Sequence, residues 1–119
     1  MHAIHMLGSI AIAVGLAVAA PVHAQDKAKE RAPVTKVLLD NEKVRVAQTT
    51  FQPGDVSRAQ RRARVSYTLK GGQLERTSAD GKKVVNTRKV GDAVWLEADA
   101  DAVKNVGKTV VTVVTIQLK

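Results

Sequence analysis

FQPGDVSRAQRRARVSYTLKGG, residues 51–72, is the stretch of the chain that decides the fold. It begins with a Pro-Gly-Asp turn, passes through a segment with four arginines, and continues into alternating apolar and polar residues that end on two glycines. Alternation with a period of two is typical of a β-strand, and a second Gly-Asp turn follows at Gly91 and Asp92. Strands separated by such turns predict a small antiparallel barrel.

The rest of the chain divides into short β-branched segments with turn residues between them. Eight strands are predicted, over residues 34–39, 44–51, 65–69, 74–77, 84–90, 93–96, 102–106 and 109–118. The last, TVVTVVTIQL, is apolar on both faces, which is typical of a central strand covered on each side. No segment after residue 25 keeps the apolar period of a helix, so the pattern predicts an all-β sandwich or barrel such as a jelly roll.

Composition limits the classes of function. The 119 residues are 45% hydrophobic, enough for one domain with one core. The absence of cysteine excludes disulfides, thiolate-bound metals and a thiol nucleophile. A net charge of +8 favours anionic ligands or surfaces. Nucleic acid is not a predicted partner, because the basic residues are scattered and only three aromatic residues could stack on bases.

The first 24 residues have the pattern of a secretory signal. An apolar run ends at Ala20 and is followed by Pro21 and by small residues up to Ala24. We expect cleavage after Ala24, a periplasmic or secreted protein, and no stable membrane insertion after cleavage; an uncleaved membrane anchor is the alternative. Residues 25–33 are then a flexible N-terminal segment and residues 34–119 the folded domain. All three histidines precede Gln25, so the mature chain contains neither His nor Cys.

Residues 37–118 resemble a cupin of the short, single-domain, exported kind in the RmlC-like jelly-roll superfamily. The pieces that carry this resemblance are VLLDNEKVRV, FQPGD, YTLKGG, the DGKKV hairpin and VGDAVWLEADADAVKNVGKTVVTVV. The resemblance implies a double-stranded β-helix, which is a jelly-roll barrel. An N-terminal signal helix is expected to precede this barrel. It also implies a site where three imidazoles and a carboxylate hold a metal.

The motif glycines of that family are present, but its metal ligands are not. Gly54 and Gly71 match the first motif, and Gly91 and Asn105 match the second. The ligand positions of the family fall on Arg58 and Gln60 (or Gln60 and Arg62, since the loop is shorter than usual), on Arg64, and on Asp101. A guanidinium cannot ligate a cation and repels one at close range. We therefore predict no metal, no cofactor and no catalytic residue at this degenerate metal site.

Three interpretations of the arginine segment remain open. Arginine forks bind carboxylates and phosphates, so the first is a small-anion site at the barrel mouth formed by Arg58, Gln60, Arg62, Arg64 and Asp101, with Ser66 and Thr68 assisting. In the second, an Arg64–Asp101 ion pair replaces the metal as a structural tie. In the third, the segment is a solvated basic loop without a role. A calcium site at the acidic residues from Glu97 to Asp101 is not predicted, because the downstream Glu and the loop glycine are missing.

Two further expectations concern assembly and activity. A homodimer through an edge strand is predicted, as in many cupins. Tyr67 and Trp95 are interpreted as core or interface residues. The sequence favours a non-catalytic binding or structural role; the alternative is a cupin enzyme that uses unconventional metal ligands or metal-free acid–base chemistry. Tyr67 lies on the strand face opposite Arg64 and no histidine follows residue 24, which disfavours the acid–base alternative.

Overall fold

The computed structural model describes residues 30–119, and this part of the chain is built from β-strands. Nine strands follow one another: Val34–Asp40 (β1), Val44–Phe51 (β2), Val56–Ser57 (β3), Arg64–Lys70 (β4), Gly72–Thr77 (β5), Lys83–Arg88 (β6), Ala93–Leu96 (β7), Ala102–Asn105 (β8) and Val111–Leu118 (β9). The all-β prediction is confirmed. No helix that could cross a membrane occurs between residues 30 and 119. The predicted signal helix over residues 1–24 lies outside the described residues.

The strands form two antiparallel sheets. The five-stranded sheet has the order β1-β2-β9-β4-β7, and the four-stranded sheet has the order β3-β8-β5-β6. Strand β9, which the sequence predicts to be central, lies between β2 and β4. Eight of the strands match predicted segments to within about two residues. Strand β3 was missed because its two residues are too short to show an alternation.

The N-terminal part of the described chain is attached to the barrel. The Val56 amide donates to the Arg31 carbonyl at 2.8 Å. The Arg31 side chain makes an ion pair with the buried Asp55, at 2.9 Å from Nε to Oδ1. The residues predicted to be flexible therefore include one that the structure ties to the turn before β3, while residues 25–29 lie outside the described part.

In the five-stranded sheet, strand β4 buries its polar side and exposes its apolar side. On β4 the polar residues Arg64, Ser66 and Thr68 are buried, whereas Tyr67 is 41% exposed. Trp95, which stands beside β4 in the register of β7, is 50% exposed. Of the two interpretations of these aromatic residues, a place in the core is therefore wrong, and a place in an interface stays a prediction. The reason is that the interior beside β4 is polar, so the apolar side of the strand is turned to the outside.

The outward face of this sheet is apolar. Five of its large side chains are each between 41 and 50% exposed: Leu39, Tyr67, Leu69, Trp95 and Leu118. Every residue of the edge strand β1 is also exposed. The homodimer through an edge strand stays a prediction, and sedimentation equilibrium on the purified protein would measure it.

The apolar core lies between the sheets at some distance from Arg64. It is a small cluster to which both sheets contribute: Phe51, Leu74, Val103, Val111 and Val113. Along β2, Phe51 follows Arg45 by six residues, and β9 pairs Phe51 with Val111 and Arg45 with Gln117. At about 3.4 Å per residue the two rows are roughly 20 Å apart. The interior therefore has an apolar end and a basic end.

Asn105, the asparagine of the second family motif, holds the apolar end together. Its side chain is buried, and its Nδ2 donates to the Phe51 carbonyl at 3.0 Å and to the Thr109 carbonyl at 2.8 Å. Its Oδ1 accepts from the Gly107 amide at 3.0 Å. The Asn105 carbonyl also accepts from the amide of Gly54, whose φ of +90° favours glycine. One side chain thus joins β2, β8 and the loop before β9.

Replacing Asn105 with alanine is expected to lower the free energy of unfolding by about 2 kcal/mol, because two carbonyls and one amide lose their partner. Urea denaturation followed by circular dichroism measures the change. The matched control is Asn86→Ala, at an exposed residue of β6, where the loss should stay below about 0.5 kcal/mol. Equal losses in the two variants would contradict the role given to Asn105.

Candidate functional site

A cavity of about 280 Å³ opens between the two sheets. Five arginines line it, and among the described residues no carboxylate does. The lining is Thr35, Arg45, Ala47, Thr49, Phe51, Ser57, Ala59, Gln60, Arg61, Arg64, Ser66, Leu74, Arg76, Arg88, Leu96, Val103, Val113, Thr115 and Gln117. We call Arg45, Arg61, Arg64, Arg76 and Arg88 the arginine cluster.

The arginine cluster is assembled from both sheets. Arg45 on β2 and Arg64 on β4 both pair with Gln117 of β9, so the two strands place them in one row. Arg76 on β5 and Arg88 on β6 come from the opposite sheet. Strand alternation places each of these residues on the inward face. The fifth member, Arg61, comes from the segment between β3 and β4.

Asp99 is the carboxylate around which three members of the cluster gather. Its Oδ1 lies 3.1 Å from Arg61 Nη2, and its Oδ2 lies 3.2 Å from both Arg64 Nη2 and Arg76 Nη1. Two backbone hydrogen bonds between Arg61 and Asp99, of 2.7 and 2.9 Å, fix the two loops against each other. Asp101 adds a longer contact to Arg76, at 3.6 Å. The acidic loop therefore neutralises part of the cluster.

Burial and ion pairing act against each other in this network. Arg64 is 3% exposed, and its Nη1 donates to the carbonyls of Arg62 and Glu97 at 3.1 and 3.3 Å. Burial lowers the pKa of Arg64, and the Asp99 charge opposes that shift. For Asp99, burial alone would raise the pKa, but hydrogen bonds from Arg61 and the Asp101 amide outweigh it and hold the pKa below its ordinary value. Both groups are therefore charged at neutral pH.

Arg88 differs from the three arginines that bind Asp99. Its Nη1 donates to Ser66 Oγ at 3.2 Å, and among residues 30–119 no carboxylate lies within 4.0 Å of its guanidinium. Burial lowers the pKa of Arg88, the positive charges of Arg76 and Arg64 lower it further, and the negative charge of Asp92 opposes this shift. Arginine nevertheless remains protonated in proteins. Arg88 is thus a partly buried cation that makes no ion pair in the described structure.

A close backbone approach fixes the strand that carries Arg88. A Cβ on Gly71 would lie 2.4 Å from the Arg88 carbonyl oxygen, a distance that no side chain tolerates. The glycine between β4 and β5 therefore lets the chain pass directly against the end of β6. This gives the second glycine of the first family motif a role in placing Arg88.

The structure brings some of the predicted site residues to the cavity and leaves others outside. Arg64 and Gln60 line it, whereas Arg58 and Arg62 are exposed and do not. Arg61 takes the inward position expected of Arg58 or Arg62. Asp101 contacts the cluster through Arg76. Binding by these residues stays a prediction.

The predicted ion pair between Arg64 and Asp101 is wrong, because the carboxylate that Arg64 contacts is another one. Arg64 pairs with Asp99, because the backbone bridge between Arg61 and Asp99 places the Asp99 side chain under the Arg64 guanidinium. Of the two assisting residues, Ser66 lines the cavity and Thr68 does not, although Thr68 is buried. The Thr68 hydroxyl has no partner in the described part of the chain.

The residues at the cavity do not fit the metal that the sequence resemblance implies. The inward side chains at the basic end are guanidiniums, amides and hydroxyls, and no histidine follows residue 23 in the sequence. Between residues 30 and 119, no three His, Cys, Asp or Glu side chains are grouped so that they could hold a metal ion. The guanidiniums would repel a cation. The absence of a metal from the protein itself stays a prediction, which metal analysis after dialysis would test.

Comparison with known proteins finds the fold among solved structures. No protein-family model matches the chain, and no curated protein matches it. A cupin domain from Bordetella pertussis Tohama I superposes with a TM-score of 0.70 at 23% identity, over 76% of this chain and 97% of that one. A double-stranded β-helix protein from Klebsiella pneumoniae gives 0.58 at 18% identity, over 73% and 76%.

A third similar structure is the EutQ protein of Clostridium difficile, with a TM-score of 0.56 at 12% identity, over 72% of this chain and 67% of that one. At these identities the likeness concerns the fold alone. The chain therefore has the cupin double-stranded β-helix, and the resemblance seen in its sequence is confirmed at the level of the fold.

Proposed function

We propose that this cupin-fold barrel binds a small anion in the cavity between its sheets, and that arginines take the place of a metal. One observation supports the proposal above all others. Five arginines face the cavity, while Asp99 and Asp101 are the only carboxylates in the described residues that make ion pairs with them. The basic end of the cavity therefore carries an excess of positive charge.

An anion is the ligand that this excess favours. Like charges in a partly enclosed, low-dielectric space repel one another more strongly than in water. An anion in the cavity reduces that repulsion and offers the acceptors that arginine forks prefer. A volume of about 280 Å³ corresponds to on the order of nine water molecules, so the ligand is a small molecule and not a polymer.

The rival interpretation, metal-free acid–base catalysis, has weaker support. A general base functions best when its pKa lies near the working pH. The pKa of Asp99 is held below its ordinary value, and three guanidiniums already occupy the carboxylate. Tyr67, the residue type that the family's metal-free enzymes use as an acid, is on the outer face. The geometry favours binding over catalysis.

Titration of the ¹⁵N-labelled mature protein with acetate, hexanoate, benzoate and phosphate tests the proposal by NMR. At least one anion is expected to give saturable shifts at the amides of Arg61, Ser66 and Arg88 in 150 mM salt. Shifts at exposed positions such as Lys82 and Lys83 alone, or shifts that vanish on addition of salt, would mean that the anions interact only with surface charge. Either result would refute a cavity site.

A further inference from the structure

We infer that the anion is a small carboxylate with an apolar body, anchored by Arg88 and Ser66. This inference rests on the proposed anion site and makes two additions to it. It assigns the anchor to a strand β6 residue that the sequence does not single out, and it gives the ligand a chemical class. Three features of the cavity support the inference: the Arg88 guanidinium without an ion pair, the geometry of its free N–H donors, and the apolar part of the cavity wall.

Arg88 is the cavity arginine best placed to hold an anion. Arg61, Arg64 and Arg76 are bound to Asp99, and Arg45 is exposed, whereas Arg88 is partly buried. Arg88 makes one hydrogen bond, to Ser66 Oγ, and no other partner of its guanidinium lies within the described residues. None of its nitrogen atoms is among the fully buried atoms that lack a partner. Its remaining N–H groups are therefore open to the cavity and can donate to a ligand.

The available donors match a carboxylate better than a phosphate. A single free fork binds two coplanar oxygen atoms, which is the geometry of a carboxylate. A phosphate dianion carries three terminal oxygens and would need further donors, but Asp99 holds Arg61, Arg64 and Arg76, and Arg45 is exposed. One negative charge also suffices to give the Arg88 guanidinium the ion pair that it lacks.

Part of the cavity wall is apolar. Phe51, Leu74, Val103 and Val113 belong to the buried core cluster and also line the cavity. Ligand sites typically combine an apolar lining with a few polar groups that fix orientation. A bare anion would leave this wall against water, whereas an alkyl or aryl group would cover it. The combination selects a carboxylate that carries an apolar group of about five to eight carbons.

The experiment compares hexanoate with three probes that each remove one part of this recognition, in NMR titrations of the full mature protein. Acetate lacks the apolar body, 1-hexanol lacks the charge, and inorganic phosphate changes the head group. Wild type is expected to bind hexanoate at least tenfold more tightly than each of the three probes. Arg88→Gln should lose at least tenfold in affinity for hexanoate, and Arg88→Lys, which keeps the charge without the fork, should lose threefold or more.

The matched control is Lys83→Gln, because Lys83 is an exposed cation on the same strand and outside the cavity lining. It should change hexanoate affinity by less than twofold. Hexanoate affinity that survives in both Arg88 variants, or falls equally in Lys83→Gln, overturns the anchor. If acetate or phosphate binds as tightly as hexanoate, the inference that the ligand carries an apolar body is wrong, but the proposed anion site stands. If no anion binds in the cavity, the proposed function fails and this inference fails with it.

Discussion

Replacing Asp99 with asparagine is expected to lower the free energy of unfolding by about 3 kcal/mol at pH 7, the lower end of the range for breaking a buried charge pair. The variant keeps one acceptor oxygen but leaves Arg61, Arg64 and Arg76 without the charge that holds them together. Because the Asp99 side chain is 17% exposed, water screens part of the resulting repulsion, and a larger loss is not expected. Urea denaturation of the two proteins measures the difference.

The dependence of this difference on pH follows from the Asp99 pKa. That pKa is lower in the folded protein than its ordinary value, so the ionised carboxylate stabilises the folded state. The contribution is complete above the ordinary pKa and is lost as the pH falls through the folded pKa. The gap between wild type and Asp99→Asn should therefore be constant from pH 8 to about pH 5 and shrink below about pH 4.

The control is Glu42→Gln, which removes an exposed carboxylate from the turn between β1 and β2. Its effect should stay below about 0.5 kcal/mol throughout. A gap between wild type and Asp99→Asn that widens as the pH falls below 4 would mean that Asp99 is protonated in the folded protein. In that case the carboxylate could not be the counter-ion of the cluster.

The fold could be predicted from the sequence because turns and strands leave local signals. Glycine-containing turns at Gly54, Gly81 and Gly91 have positive φ angles in the structure, and each separates two predicted strands. The β-branched run that forms β9 indicated its central place before any pairing was known. What alternation does not reveal is which side of a strand faces inward. On β4 the buried side is the polar one, and this reversed the expectation for Tyr67 and Trp95.

The site could be predicted only in part, for the same reason. The alternation along β4 and the family motif both predict that Arg64 belongs to the site. The loop before it has no such period, and the inward residue, Arg61, is set by a backbone bridge to Asp99 that local sequence does not encode. Arg76 and Arg88 are single arginines on separate strands. Only the pairing of the two sheets shows that they face the cavity.

These observations suggest that the basic interior serves two purposes. Three arginines and Asp99 form an ion network that joins the β3–β4 segment, the four-stranded sheet and the acidic loop. Such a network can hold the mouth of the barrel in one geometry without a metal. Arg88 lies beside the network but outside it, where it makes no ion pair and the positive charges of Arg76 and Arg64 outweigh the negative charge of Asp92. Structural and binding arginines should therefore respond in opposite directions to the loss of their charge.

Arg64→Met is accordingly expected to destabilise the protein by about 2 kcal/mol, because the carbonyls of Arg62 and Glu97 and the Asp99 carboxylate lose a donor. Arg88→Met is expected to stabilise the unliganded protein by about 1 kcal/mol. The methionine keeps an apolar stem, and its thioether replaces a desolvated cation that Arg76 and Arg64 repel. A residue that lowers stability in the empty protein is typical of a binding site.

Thermal unfolding with and without hexanoate separates the two effects. At a ligand concentration of about 100 times Kd, wild type should gain about 2.7 kcal/mol, whereas Arg88→Met should gain almost nothing. The order of melting temperatures should therefore reverse: the variant melts above wild type in buffer and below it with ligand. Arg64→Met should melt below wild type in both conditions. An Arg88→Met protein that is less stable than wild type in buffer would place Arg88 among the structural arginines, because its charge would then contribute to folding before any anion is present.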